Sequence, residues 1–372
     1  MTKVVHAVGA RPNFVKMAPV IESLSRSPEL RQIVVHTGQH YDTALSDEVL
    51  ADLDFPAPDR FLGVGSGTHA EQTGRTLIEF ERVLLDEQPA LVVVGGDVNA
   101  TLGCALAAAK LQIPVAHVEA GLRSRDWTMP EELNRVLTDR LSRFLFTHSP
   151  EAAANLEAEG IPASRVHYVG NTMIDSLLRL EEPARARSAW VAAGVREREY
   201  VLVTLHRPSN VDRPERLAAV VDALADLAER FPIVFPMHPR TRDRLEQSAE
   251  LDRMEAAGIR PLPPLSYLDF LSLELAAGAV LTDSGGVQEE ASALGVPCYT
   301  LRPNTERPIT IELGTNELIG DDPSAIARVE IAPEPQGRRS IPLWDGHAAE
   351  RIADVLVAGL RPALAGAEAV DR

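Results

Sequence analysis

The chain has 372 residues, 45% of them hydrophobic and 24% charged, with a formal net charge of −17, the profile of a globular protein long enough for two domains. The acidity argues against a nucleic-acid partner, which needs a basic face, and no apolar run approaches the roughly 20 residues of a membrane span. Cys104 and Cys298 have neither metal-ligand nor redox spacing, and Met1-Thr2-Lys3 leads into a strand with no signal-peptide core, so a reducing cytoplasm fits best.

Strands and helices alternate along the chain. Strands are predicted at Val4–Val8, Ile33–Thr37, Leu91–Val94, Val115–Val118, Phe144–Thr147 and Val166–Val169. Helices are predicted between them at Phe14–Arg26, His69–Asp86, Thr101–Leu111 and Glu151–Glu159, with another opening at Met129-Pro130 and running to Arg140. The alternation then resumes, with strands at Tyr200–Thr204, Ile233–Pro236, Ile259–Leu262, Ala279–Thr282 and Cys298–Leu301. Helices at Leu217–Arg230, Ser266–Ala277 and Gly286–Leu294 separate them. Short unbroken apolar strands divided by amphipathic helices indicate parallel sheets covered on both faces. Two such runs make an α/β protein of two Rossmann-like, doubly wound domains, residues 1–170 and 171–346. A charged, Ala/Arg-rich stretch ending near Arg198 follows the join. A last helix, His347–Leu360, is expected to cross back to the first domain, with the tail of 347–372 fraying after Arg361.

Ligands of open parallel sheets bind beyond the carboxyl ends of the strands, so the loops there hold the candidates. The first loop reads Gly9-Ala10-Arg11-Pro12-Asn13-Phe14-Val15-Lys16, a tight turn, a cation and a helix start. Its spacing is neither a Walker loop nor a dinucleotide fingerprint, so neither ATP nor NAD is indicated as a cofactor. Gly38-Gln39-His40 follows the second strand. Asp97 and Glu119 stand at corresponding strand ends, where a carboxylate needs a partner. Glu131 and Glu132 follow Pro130, which is also how an ordinary helix begins. In the second half, His206-Arg207 and His238 follow strands, and two histidines beside an arginine favour an anion site.

Residues 281–290, Leu-Thr-Asp-Ser-Gly-Gly-Val-Gln-Glu-Glu, are the most informative segment. A strand feeding an Asp-Ser-Gly-Gly turn and a helix leaves backbone N–H groups unpaired at the helix start, a ready phosphate site. Glu289 and Glu290, one turn inside, sit where they could hold ribose hydroxyls. In so acidic a chain an anionic nucleotide needs a local cationic pocket, for which Arg11, Lys16, His206, Arg207, His238 and Arg307 are available.

Taken in order, the motifs become recognisable. Gly-x-Arg-Pro at Gly9, Gly-Asp at Gly96, His-Val-Glu-Ala-Gly-Leu-Arg at His117 and Pro-Glu-Glu-x-Asn-Arg at Pro130 lie in the first half. His-Arg at His206, His-Pro at His238, Asp-Ser-Gly-Gly-x-Gln-Glu-Glu at Asp283 and Thr-Glu-Arg-Pro at Thr305 lie in the second. This ordered set closely resembles the UDP-N-acetylglucosamine 2-epimerases from about Lys3 to Gly320. The resemblance implies a GT-B architecture with its active site in the interdomain cleft. It implies Asp97, Glu119 and Glu131 as catalytic carboxylates and His206 at the leaving phosphate. Arg11, Lys16, Arg135 and Arg307 would be substrate-binding cations, Phe270 would pack near uracil, and Ser284, Gly285 and Gly286 would form the phosphate turn. Glu290 would be the ribose-binding carboxylate.

The implied reaction is reversible C2 epimerisation of UDP-GlcNAc to UDP-ManNAc, without cofactor or metal. Expulsion of UDP from C1 builds oxocarbenium-like charge that acidifies C2–H, and UDP then re-adds to a 2-acetamidoglucal. A homodimer acting in cell-surface polysaccharide biosynthesis is implied as well, with no membrane partner. Pro208 and Ser209 stand where substrate-activated members carry a basic residue and an acid, which argues against activation by a second UDP-GlcNAc. Gln39, His40 and His238 nevertheless match parts of that allosteric pocket. Asn13 and Val98-Asn99 also depart from the family pattern and bear on the exact substrate. The alternatives are an epimerase for a 2,3-diacetamido uronic acid sugar, a hydrolysing epimerase releasing ManNAc, and a GT-B glycosyltransferase.

Overall fold

Every strand pairing described is parallel. The computed structural model describes residues 1–9, 11–38, 43–331 and 337–370, and the backbone alone at 11, 43–47 and 361–370. The first sheet contains β1 (Thr2–Val8), β2 (Leu30–His36), β3 (Arg60–Phe61), β4 (Leu91–Gly95), β5 (Val115–Val118), β6 (Phe144–Thr147) and β7 (Val166–Tyr168). The second contains β8 (Val201–Thr204), β9 (Ile233–Pro236), β10 (Arg260–Leu262), β11 (Ala279–Thr282), β12 (Cys298–Thr300) and β13 (Asn316–Leu318).

The strand orders are β3-β2-β1-β4-β5-β6-β7 and β10-β9-β8-β11-β12-β13. Each is doubly wound and reverses direction beside its own first strand, between β1 and β4 and between β8 and β11. Loops leaving those strands diverge to opposite faces and open a crevice at the carboxyl edge. The centre of each sheet is apolar throughout; Leu91, Val92, Val93 and Val94 are all fully buried. Helix His69–Glu87 covers the first sheet with Phe80, Val83 and Leu84. Helix Pro214–Ala228 covers the second with Leu217, Val220, Val221 and Leu224. Burying such side chains contributes roughly 1.5–3 kcal/mol each.

The chain forms two compact units, Met1–Ser176 together with Pro342–Arg372, and Leu177–Ile341. The first unit runs past Gly170 because the start of helix Thr172–Arg187 belongs to its core. Ile174 is fully buried there, and Ser176 Oγ donates to the Val15 carbonyl at 2.6 Å. Asp175 accepts from the backbone N–H groups of Ala348 and Ala349 at 3.2 and 2.7 Å, tying down the start of helix Ala348–Val370. That helix packs against helix Arg11–Ser25.

Several expectations need correction. The last helix is assigned as Ala348–Val370. The Ala/Arg-rich stretch after the join, to which the sequence assigns no element, opens as helix Thr172–Arg187, with Met173, Ile174, Leu177, Leu180 and Ala184 buried at helical spacing. β3 and β13 were not legible: they are edge strands of two and three residues, too short and polar to show an apolar run.

Candidate active site

In the first unit, the switch point brings together the loops after β1, β4 and β5. Lys16 lies one turn inside the helix after β1, and Glu119 is the residue after β5. Their side chains form a buried ion pair, 8% and 6% exposed. Glu119 holds φ at +70°, a left-handed backbone that costs a residue with a Cβ roughly 1–2 kcal/mol. Gly96, φ +67°, lies against the pair; a Cβ there would stand 3.6 Å from both Glu119 Oε2 and Lys16 Nζ and 3.2 Å from Asn13 Nδ2. Asn13 bridges the two central loops, donating to the Gly95 carbonyl at 2.8 Å and accepting from Gly9 N–H at 3.3 Å. A small cavity behind the pair is lined by Lys16, Glu119, His148, Gly170, Asn171 and Thr172, among others.

Helix Pro130–Leu141 supplies the other acids and divides their work. Glu132 is 1% exposed and fully engaged. It accepts from the N–H groups of Ser124 and Arg125 at 2.9 Å each and pairs with Arg135 at 2.6 Å. Its neighbour Glu131 is half-buried and has no side-chain partner among the described residues. Arg135 was expected among the substrate-binding cations. The structure instead takes it up internally: it is 2% exposed, with Nε 2.9 Å from Asp97 Oδ2 and a nitrogen on Glu132. Asp97 itself keeps a quarter of its side chain exposed.

A second buried network fixes the β5 end. His117 places Nδ1 2.7 Å from Asp139 and Nε2 2.8 Å from the Gly96 carbonyl. Asp139 also accepts from Gly121 N–H at 3.1 Å and pairs with Arg123 at 2.8 Å. The His-Val-Glu-Ala-Gly-Leu-Arg motif is thus mostly scaffold around a single acid at the strand end, Glu119, paired with Lys16. The Arg11 side chain and all of Gln39 and His40 lie outside the described residues.

In the second unit, the hub is Asp283, at the end of β11 and fully buried. It accepts from His206 N–H at 3.1 Å, from Arg207 N–H at 2.9 Å and from Asn210 Nδ2 at 3.0 Å, and His206 Nδ1 lies 3.1 Å away. Burial would raise its pKa, but the His206 charge and these hydrogen bonds outweigh burial and bring it down to about 2. The sequence shows Asp283 as part of a motif but not as the residue that aims His206. Exposed His238 stands beside His206, ring centroids 5.8 Å apart.

Ser284 opens helix Gly285–Leu294, and its own N–H donates to Thr282 Oγ1 at 2.9 Å. Beneath this turn lies an ionic network. Arg307 meets Glu289 at 3.1 Å and Glu306 at 2.5 Å, while Arg302 meets Glu306 at 2.7 Å and Arg207 approaches it at 3.5 Å. Gly285 is required there because a Cβ would run into the Arg307 guanidinium. Arg307 is therefore a support under the turn, 4% exposed, and Glu289, fully buried against it, is not placed as a ribose ligand. Glu290 accepts from Tyr267 Oη at 2.7 Å, and half-buried Phe270 lies on the same helix as Tyr267, Tyr267–Ala276.

The sequence pattern of the family described as UDP-N-acetylglucosamine 2-epimerase matches residues 22–357. The chain is 44% identical to the UDP-N-acetylglucosamine 2-epimerase of Methanocaldococcus jannaschii, over 95% of its own length and 98% of the relative's. It is 40% identical to the UDP-2,3-diacetamido-2,3-dideoxy-D-glucuronate 2-epimerase of Pseudomonas aeruginosa, over 95% and 99%. The structure superposes on the M. jannaschii UDP-GlcNAc 2-epimerase in complex with UDP-GlcNAc and UDP with a TM-score of 0.89, covering 96% of this chain and 100% of that one at 42% identity. The Neisseria meningitidis UDP-GlcNAc 2-epimerase bound to UDP-GlcNAc gives 0.87 at 31% identity, with 96% and 100% covered. Both Rossmann-like units expected of a GT-B protein are present. The chain belongs to the UDP-N-acetylglucosamine 2-epimerase family.

Proposed function

We propose that this protein interconverts UDP-GlcNAc and UDP-ManNAc by C2 epimerisation, through elimination and re-addition of UDP. The observation that carries the reading is the set of acids at the first switch point. Glu119 is held in a left-handed backbone against Lys16, Asp97 against Arg135, and Glu131 is left without a partner among the described residues. A nucleotide-binding module alone has no use for three such carboxylates.

As UDP leaves C1, positive charge grows on the sugar ring, and carboxylates aimed at it stabilise that charge more in the transition state than in the ground state. The same charge acidifies C2–H, so one of the acids can remove that proton, and a solvent-exchanged proton is delivered to C2 from the other face by a second group as UDP re-adds. Glu131 suits proton transfer, being uncommitted to a cation, whereas Glu119 is paired with Lys16 and Asp97 with Arg135. Arg135 then acts by orienting Asp97. In the second unit, Nε2 of His206, the ring nitrogen away from Asp283, would donate to the departing phosphate, with Arg11 adding charge. The N–H groups of Ser284, Gly285 and Gly286 would hold the diphosphate at the helix start. Phe270 and Glu290 would receive uracil and ribose. Retention of UDP distinguishes this reaction from hydrolysis.

The P. aeruginosa relative favours a second reading, a UDP-2,3-diacetamido uronic acid as substrate. We further propose a homodimer in a reducing cytoplasm. The leucines Leu133 and Leu137, 47% and 41% exposed at one-turn spacing on helix Pro130–Leu141, support a partner copy, and the two buried free thiols support that compartment. Sedimentation of Leu133→Glu tests the dimer.

The test of the reaction is incubation with UDP-GlcNAc in D2O, followed by NMR. UDP-ManNAc carrying deuterium at C2 supports the proposal. Free ManNAc with UDP overturns it in favour of hydrolysis, and an unchanged sugar in favour of the uronic acid substrate.

A further inference from the structure

Three side chains hold the loop after β4 that carries Asp97. Helix Pro130–Leu141 sends Asn134 Nδ2 to the Asp97 carbonyl and Arg135 Nε to the Asp97 carboxylate, each at 2.9 Å. The third is His117, fully buried in β5. Its Nδ1 lies 2.7 Å from Asp139 on the same helix, and its Nε2 lies 2.8 Å from the Gly96 carbonyl.

Gly96 explains why a donor is needed at that point. It is buried, with φ at +67°, and its N–H bonds to the Val118 carbonyl at 3.1 Å as the last rung between β4 and β5. The left-handed turn carries its own carbonyl off the ladder, and a buried carbonyl is costly to leave without a donor. His117 is its side-chain donor among the described residues. The Asp139 carboxylate and the Gly96 carbonyl both accept, so both ring nitrogens donate. The two bonds are not equivalent, because Asp139 has further donors in Gly121 N–H at 3.1 Å and Arg123 at 2.8 Å.

That carbonyl belongs to the Gly96–Asp97 peptide, a rigid plane that includes the Asp97 Cα. Fixing the plane fixes where the Asp97 side chain starts. We infer that His117 is a positioning residue: its Nε2 holds the Gly96–Asp97 peptide so that the Asp97 carboxylate is placed for the sugar, and its Nδ1, on Asp139, aims the ring. This rests on the proposal that Asp97 acts on the sugar. His117 touches no reacting atom and belongs to the first unit, so its loss lowers kcat and spares UDP binding. A shift of about 1 Å at a reacting group can cost on the order of 10²-fold in rate.

The experiment uses the full-length enzyme with His117→Asn, His117→Gln and Asp97→Asn. The asparagine amide nitrogen takes the place of Nδ1 and keeps the Asp139 bond; the glutamine amide nitrogen takes the place of Nε2 and keeps the Gly96 bond. Both remove the ring, so lost packing is common to the two and does not explain a difference between them. KM and kcat are measured with UDP-GlcNAc, and UDP binding by calorimetry. The expected result for His117→Asn is a fall in kcat of about 10–100-fold, with KM and UDP affinity within about threefold of wild type. His117→Gln is expected to restore kcat to within about fivefold of wild type. Equal losses in the two variants, or an unchanged kcat in His117→Asn, overturn the inference while the role of Asp97 stands. If His117→Asn does not fold, His117→Gln decides, and a kcat as low as that of Asp97→Asn overturns the assignment. Full turnover by Asp97→Asn, or none by the wild type, removes the reading of the site and the inference with it.

Discussion

Lys16 and Glu119 form a buried ion pair across the switch point of the first sheet, one from the helix after β1 and the other from the end of β5. Neither charge could be there alone. Removing the cation strands a buried carboxylate, so Lys16→Met is expected to destabilise the fold by about 3–5 kcal/mol. Glu119→Gln keeps the shape but strands the Lys16 ammonium, so it should cost a comparable amount of stability and in addition lower kcat by about 10²–10⁴-fold. Urea unfolding and steady-state kinetics on the two variants check both expectations.

Adjacent acids should give opposite signatures. Glu132 satisfies two backbone N–H groups and Arg135, so Glu132→Gln should cost about 1–3 kcal/mol of stability. Glu131→Gln should leave the melting temperature in place and remove most turnover, by about 10²-fold or more. Thermal melts beside kinetics separate the two; a stable, fully active Glu131→Gln enzyme would remove that residue from the mechanism.

Asp175, which caps the last helix, has its pKa raised to about 6 by burial, against the pull of its two N–H donors. Its folded pKa lies above the unfolded value of about 3.9, so between about pH 4 and 6 the folded state binds more protons. Its stabilising contribution is therefore complete below about pH 4 and is lost as pH rises through about 6, amounting to roughly 2–3 kcal/mol. Asp175→Asn should flatten that part of the profile, measured as unfolding free energy from pH 4 to 7 relative to wild type.

Gly285→Ala adds one methyl group where the Arg307 guanidinium already sits. Arg307 is tied to Glu289 and Glu306 and cannot step aside. The turn must shift instead, so UDP affinity should fall by about tenfold or more, with a stability loss of about 1–3 kcal/mol. Calorimetric titration with UDP reads the first and urea unfolding the second; unchanged affinity would mean that diphosphate is not held at this turn.

The sequence by itself determined the α/β class, the two doubly wound units and the position of nearly every central strand. These follow from local patterns, namely apolar runs of strand length separated by amphipathic helices. It also brought Asp97, Glu119, His206 and Glu290 to strand ends and helix starts, because a parallel sheet puts its loops at one edge. The tertiary structure decided which of those polar residues face outward. Glu131 and Glu132 are indistinguishable in sequence, and only the backbone of Ser124 and Arg125 decides that Glu132 is consumed. Arg135 and Arg307 look like ligand-binding cations until Asp97, Glu132, Glu289 and Glu306 are found around them. Asp283 gains its role from His206, Arg207 and Asn210 on another loop. A buried charge must find its partner, and partners distant in sequence meet only once the chain has folded.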